Sequence, residues 1–113
     1  MKEQFGWADD MNCAVTACDA DCRIIFMNKL SRETFARHGD LIGHNLMDYH
    51  PEKAQGIIRH LLATGGTNSY TISKAGKKKM IYQTAWRKED GSVGGLVEIS
   101  MVIPEEMPHY VRD

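Results

Sequence analysis

The sequence predicts an α+β domain, in which short helices cover one face of an antiparallel sheet. Three strand-like segments follow one another at residues 68–74, 78–87 and 93–103. The breaks between them are too short for a parallel return, which needs about a dozen residues, so the three segments form an antiparallel meander. Two shorter strand-like segments precede them, and two helical patterns lie between the two groups of strands. This grouping is typical of the α+β class.

Length and charge limit the classes of function. A chain of 113 residues with 42% hydrophobic content can close one core, so we expect one domain at residues 12–103, between an arm at 1–11 and a tail at 104–113. The net charge of −1 gives no general attraction to nucleic acid or to an anionic membrane, and no apolar run is long enough for a membrane span. Three crowded cysteines are unlike a disulfide framework. We therefore predict a cytoplasmic protein with reduced thiols.

The N-terminal arm carries aromatic side chains among charges. Phe5, Trp7 and Met11 are compatible with a short amphipathic helix or arm, although Gly6 interrupts it. If both aromatic rings were exposed to water, the free energy gained by burying their apolar area would be lost. We therefore expect them to cap the domain's own core or to pack against a second copy, and we favour the second copy.

A hairpin and a short helix follow the arm. Residues 14–18 and 23–28 are rich in strand-forming side chains and are joined by a tight turn that contains aspartate. Asn28 ends the second strand and can cap a helix at 29–37, which Gly39 ends. An irregular connector with a single helical turn is expected next.

A second helix is predicted to begin at Pro51 and to end before Gly65. Proline suits the first helical position, and Glu52 suits the positive end of the helix dipole. The helix has apolar side chains at the spacing of one buried face: Ala54, Ile57, Ile58, Leu61 and Leu62. This helix is expected to cover the sheet.

Alternation along the last two strands indicates which side chains share a face. In the last strand, the set expected to face the core is Val97, Ile99, Met101 and Ile103, and the set expected to face away is Glu98 and Ser100. In the preceding strand, one set is Met80, Tyr82, Thr84 and Trp86, and the other is Ile81, Gln83 and Ala85. The pattern does not decide which of these last two sets faces inward.

Four motifs occur in order along the chain. The first is a hairpin at 15–28, whose aspartate-containing turn leads to a strand that ends in Asn28. The second is Leu41-Ile42-Gly43-His44-Asn45, and the third is His50-Pro51-Glu52 at the start of the long helix. The fourth is Glu89-Asp90-Gly91-Ser92-Val93-Gly94-Gly95. Together, their order and spacing resemble the PAS family over residues 12–103. The resemblance implies a five-stranded antiparallel sheet in the order 2-1-5-4-3, with helices that leave a pocket on one face.

The resemblance also implies a function. Members of the PAS family commonly form homodimers, sense small molecules, haem, flavin or protein partners, and pass the change to a separate output protein. We therefore expect a bacterial signal-transduction module that binds a small molecule or a partner protein and has no catalytic activity. Pro104 and Pro108 disfavour the rigid helix that often follows the last strand in the family.

The candidate ligand-binding residues are those expected to lie between the long helix and the sheet. They are Asn28, His50, Ile57, Ile58, Leu61, Tyr70, Met80, Tyr82, Trp86 and Ile99. For the aromatic members of this set, packing on the outer sheet face, under the arm or at a dimer interface is an equally good interpretation.

His50 is the sharpest candidate for a specific chemical role. It lies about 50° from the centre of the apolar helix face, so its imidazole can face the pocket. Some haem-binding PAS domains resemble this arrangement, in which case His50 would be the axial ligand of a haem iron in a redox or gas sensor. The simpler interpretation is that His50 caps the helix or bonds to a carbonyl of the connector.

Other site chemistry has weaker support. Cys18 and Cys22 suggest a redox pair or half of a metal site, but no second Cys-x-x-Cys motif or nearby histidine completes it. The thiols lie near the first hairpin, which disfavours a light-sensing flavin domain and leaves a non-photochemical flavin open. The sequence contains no recognisable catalytic set. A small acid/base enzyme using His50 with Asp48 or Glu98 is the remaining alternative.

Overall fold

The computed structural model describes residues 6–113, in which five strands and three α-helices occur. The strands are β1 (Ala14–Asp19), β2 (Ile24–Met27), β3 (Thr67–Lys74), β4 (Lys77–Arg87) and β5 (Val93–Val102). The α-helices are α1 (Gly6–Asp9), α2 (Lys29–Thr34) and α3 (Glu52–Thr64), with 3-10 turns at Ala36–His38 and Leu46–Tyr49. The predicted packing of Phe5 lies outside the described residues. Trp7 on α1 is 69% exposed and does not cap the core.

The strands form one antiparallel sheet in the order β2-β1-β5-β4-β3, which confirms the predicted order and the α+β class. β5 lies at the centre, between β1 and β4, and β3 forms one edge, where it is exposed along most of its length. Residues directly opposite each other in antiparallel strands share a face. Glu98 on β5 is opposite Thr16 on β1 and Gln83 on β4, so these three side chains lie on one face.

The helix ends follow local sequence signals. Asn28 caps α2 as predicted, since its Oδ1 accepts a hydrogen bond from the backbone N–H of Ser31 at 3.1 Å. α2 ends at Thr34, earlier than predicted, and a 3-10 turn follows. Pro51 is the capping residue before α3 rather than its first residue. Gly65 ends α3 in the left-handed conformation, with φ at 71°.

The hydrophobic core lies on one side of the sheet, here called the inner face. Leu96 of β5 packs there in one cluster with Ile58 and Leu61 of α3, and all three are at most 3% exposed. The opposite side is here called the outer face. It carries half-buried apolar side chains, which are Val15, Ala17, Met80, Tyr82, Val97, Ile99 and Met101.

The predicted orientation of β5 is wrong. Leu96 and Glu98 face the helices, whereas Val97, Ile99 and Met101 lie on the outer face. Alternation identifies the side chains that share a face, but the more apolar set is not always the one that the helices cover. In this strand both faces carry apolar residues, and the polar ones belong to the inner face.

The register of β5 also resolves the orientation of β4. Ile81 and Gln83, which are 7% and 3% exposed, face inward. Met80 and Tyr82 lie opposite Met101 and Ile99 and face outward.

Candidate functional site

Polar side chains meet at the centre of the inner face. Gln83 donates from Nε2 to Oε2 of Glu98 at 2.8 Å, and its Oε1 accepts from Nδ2 of Asn68 at 3.0 Å. Nε2 of His50 is 4.0 Å from the same Glu98 oxygen. Burial raises the pKa of the Tyr70 phenol, and the nearby Glu98 carboxylate raises it further. These five residues are called the inner polar group below.

His50 is held in place by the turn that precedes α3. Its Nδ1 lies 2.9 Å from the carbonyl oxygen of Leu46, which can only accept, so Nδ1 carries the proton and donates it. Gln55 reinforces the turn by donating from Nε2 to the carbonyls of Met47 and His50 at 2.9 and 3.0 Å. This bond to Leu46 is the simpler of the two roles predicted for His50. It leaves Nε2 facing Glu98.

The space between the sheet and the turn that precedes α3 is nearly filled. A cavity of about 10 Å³ lies among Thr16, Phe35, His50 and Glu98. That is room for about one water molecule, whereas small-molecule pockets are usually about 300–1,000 Å³. A haem does not fit beside His50 in this arrangement, so we assign no axial-ligand role to His50.

A larger groove opens on the inner face beside α2 and is called the inner groove below. Its volume is about 310 Å³. Its apolar lining includes Leu30, Phe35, Ile72 and Ile81, and its polar lining includes Thr16, Lys74, Lys79, Glu98 and Ser100. Because Thr16, Phe35 and Glu98 line the groove and also border the small cavity near His50, the groove and the cavity are adjacent.

Several predicted ligand-binding residues are structural or turned to solvent. Ile58 and Leu61 are core residues, at 0% and 3% exposed, and Ile57 is 36% exposed on α3. Asn28 is 0% exposed, and its Oδ1 and Nδ2 atoms both bond to the protein backbone. Of the ten candidates, only His50 and Tyr70 belong to the inner polar group.

Four other candidates lie on the outer face. Met80, Tyr82 and Ile99 are there because of the register of β4 and β5, and they cannot line the space beneath the helices. Trp86 also belongs to this side, where its ring lies against Gly94 and Gly95. The indole N–H of Trp86 donates to the carbonyl of Cys18 at 3.0 Å, so this side chain crosses β5 and joins β4 to β1.

Sequence reasoning missed most of the inner groove. The sequence pattern does not predict Lys79, Thr16 or Phe35 as site residues, and it predicts Glu98 only as an acid/base partner of His50. The available signal is strand parity. Glu98 and Ser100 interrupt an otherwise apolar strand, and polar residues at alternate positions of a central strand indicate a polar site on that face.

The two cysteines near the first turn are part of the core. Cys18 and Cys22 are 1% and 7% exposed and are free thiols. Burial is the main cause that raises the pKa of the Cys18 thiol from 9.0 to about 11, and it also raises the pKa of Cys22. Thiolates are the reactive form, so both thiols are poor nucleophiles at neutral pH. In the described part of the chain, no cluster of three or more metal-ligating side chains occurs.

We expect the stability of the fold to decrease above about pH 9 because of Cys18. The unfolded chain loses this proton near 9.0, whereas the folded chain keeps it to about 11, so stability present below pH 9 is lost as the pH rises through that window. Between about pH 8 and about pH 10.5, the wild type should lose roughly 2 kcal/mol more unfolding free energy than Cys18→Ala. Urea unfolding at the two pH values measures this. Equal losses in both proteins would contradict it.

The class of this protein follows from its fold and from a family model. A family model of the PAS fold matches residues 8–106. The chain belongs to the PAS family, as the sequence motifs predicted. No similar protein was found among curated sequences.

Solved structures of PAS domains resemble this chain. The PAS domain of the histidine kinase ThkA matches with a TM-score of 0.65 at 18% identity, over 80% of this chain and 99% of that one. A PAS domain from Colwellia psychrerythraea gives 0.66 at 16% identity, over 93% and 98%. VqmA bound to DPO gives 0.70 at 16% identity, over 93% of this chain but 58% of that one. At these identities the likeness establishes the fold alone.

Proposed function

We propose that this chain is a sensory signalling module, residues 12–103 of which bind a small molecule in the inner groove and signal through homodimer contacts on the outer face. One observation carries the proposal: one face of the sheet is polar and grooved, whereas the other face is apolar. The inner face holds the inner polar group and the groove. The outer face holds apolar side chains that remain half-exposed.

The outer face is suited to a protein contact. Ile99 lies opposite Val15 on β1 and Tyr82 on β4, so apolar side chains of three neighbouring strands form one patch. Contiguous exposed apolar patches mark interaction surfaces. A second copy of the chain offers the same patch, and two-fold pairing of identical patches is the commonest way that proteins form dimers. The VqmA of Vibrio cholerae, a structural relative, is a dimer.

The two faces are connected through β5. Glu98 faces the groove, and its chain neighbours Val97 and Ile99 face outward. A ligand that engages Glu98 therefore acts on a strand that also carries the dimer patch. A ligand shifts the equilibrium between two conformations only to the extent that it binds one more tightly than the other. Here the two conformations are two packings of the outer face. A separate output protein would read the difference.

Ile99→Glu is expected to raise the dimer dissociation constant at least about 100-fold, because it places an unpaired charge in a desolvated patch. The matched control is Ile57→Glu, which adds the same charge on the exposed side of α3 and should leave the dimer intact. Sedimentation velocity at micromolar concentrations measures both, with circular dichroism to verify the fold. A monomeric wild type, or an equal effect of the two variants, would refute the homodimer.

The cellular setting follows from the same proposal. The three cysteines are free, which fits a reducing cytoplasm. None of the helices in the described part is long and apolar enough to cross a membrane. The relatives from Vibrio cholerae and Colwellia psychrerythraea are bacterial, and we propose a bacterial origin here. Members of the PAS family are typically sensory or regulatory, and we propose no reaction for this chain.

A further inference from the structure

We propose that the inner groove selects small linear organic anions, with a carboxylate at one end, an apolar middle and a hydrogen-bond donor at the other end. This inference rests on the proposed sensory function and adds the chemical class of the ligand. The two ends of the groove differ in charge and polarity.

One end of the inner groove is cationic. Lys79 of β4 lines it and is half-buried, and Lys74 of β3 lines it as well. Among the described residues, no carboxylate lies within 4.0 Å of either ammonium group, since the carboxylate contacts found within that distance are those of Arg32 with Asp9 and of the His50 imidazole with Glu98. A partly buried cation without a partner is stabilised by an anion that arrives from outside.

The other end of the inner groove offers a hydrogen-bond acceptor. Oε2 of Glu98 is taken by Gln83 at 2.8 Å, which leaves Oε1 as the oxygen available to a ligand. In the described part of the chain, no fully buried side-chain oxygen or nitrogen lacks a partner, so Oε1 is accessible to solvent. A hydroxyl or amine of a ligand can donate to it, whereas a second carboxylate there would be repelled.

The distance between the two ends sets the length of the ligand. Lys79 and Gln83 are four residues apart on the same face of β4, and Glu98 lies opposite Gln83, so the ends are separated by about 13 Å along the strands. Ile81 of the sheet lies between them, and Phe35 beyond α2 is a further apolar residue of the lining. A medium-length aliphatic chain suits this interval, because it buries apolar area against both.

Three probes of equal chain length test the inference by calorimetric titration. They are 8-hydroxyoctanoate, 1,8-octanediol, which lacks the carboxylate, and octanoate, which lacks the hydroxyl. The wild type should bind the hydroxy acid at least about tenfold more tightly than either of the others. Equal affinity for the diol and the hydroxy acid would overturn the inference, as would the absence of binding of the hydroxy acid at millimolar concentration.

Matched lysine variants locate the anion. Lys79→Met keeps the length of the side chain and removes its charge, and it should abolish the preference for hydroxy acid over diol. Lys78→Met is the control, because Lys78 is adjacent in sequence and lies on the outer face. This variant should keep the preference. An equal loss of this preference in both variants would show that net charge causes the effect, and it would overturn the anion site at Lys79.

The outcome also separates this inference from the proposed function. A wild-type dimer whose thermal stability rises with a neutral or cationic molecule, but not with the hydroxy acid, would overturn the ligand class and leave the sensory function standing. A monomeric wild type that no small molecule stabilises would overturn both.

Discussion

Replacing Asn28 with alanine is expected to lower the free energy of unfolding by about 3–4 kcal/mol. The side chain is 0% exposed, and its Oδ1 accepts from the backbone N–H groups of Val15 and Ser31 at 2.9 and 3.1 Å. Its Nδ2 donates to the carbonyls of Ala8 and Cys13 at 3.0 and 2.8 Å. Each bond contributes about 1 kcal/mol, and its removal leaves a buried partner unsatisfied. Asn28 therefore ties α1, β1 and α2 together.

Denaturant unfolding with a matched control checks this. Asn45→Ala removes a similar cap from an exposed position, where one bond to the N–H of Met47 at 2.9 Å is lost, and it should change stability by about 1 kcal/mol or less. Asn28→Asp retains both accepted bonds but replaces the donor with oxygen that faces two carbonyls, and it should also be strongly destabilising. If Asn28→Ala left stability unchanged and altered only ligand binding, the ligand-binding role predicted for Asn28 from the sequence would be correct.

Gly95→Ala is expected to be the most damaging change of a glycine in the sheet, with a loss of about 2–4 kcal/mol. A methyl group at this position would collide with the backbone carbonyl oxygen of Cys18 and would approach Nε1 of Trp86 to 2.7 Å. It would thus separate β1 from β5 and break the Trp86–Cys18 hydrogen bond. Overpacking that moves backbone is among the costly kinds of point mutation.

Gly56→Ala is the matched control for that change. Gly56 lies inside α3 with no atom near the position of an added methyl group. The substitution should raise stability by up to about 1 kcal/mol, because alanine is the better helix former. Thermal melts, together with near-ultraviolet circular dichroism of Trp86, measure both variants. If Gly95→Ala melted at the wild-type temperature with an unchanged aromatic signal, the close approach of β1 and β5 would be disproved.

Local signals made much of the fold predictable from the sequence. The cap at Asn28 and the short turns of the meander each depend on residues close together in the chain, and the structure confirms both. The predicted apolar face of α3 is confirmed at Ile58 and Leu61, whereas Ile57 is 36% exposed. The orientation of β5 was not predictable in the same way. It depends on which side α3 packs against, and that is a contact between segments about forty residues apart.

The candidate site was the least predictable part. His50 and Tyr70 were found because a histidine at a helix start and an aromatic residue in a strand are conspicuous locally. Lys79 and Thr16 become neighbours of one groove only when the register of four strands and the position of α2 are known. No periodicity within a single segment carries that information.

The side chain of Trp86 gives this protein a built-in optical reporter. Its ring spans β5 and its N–H is fixed on β1, whereas the other tryptophan of the chain, Trp7, is 69% exposed. A soluble quencher such as acrylamide will reduce the emission of Trp7 more strongly than that of the half-buried Trp86. The remaining fluorescence of Trp86 then reports any movement of the central strands relative to one another, and no label has to be attached.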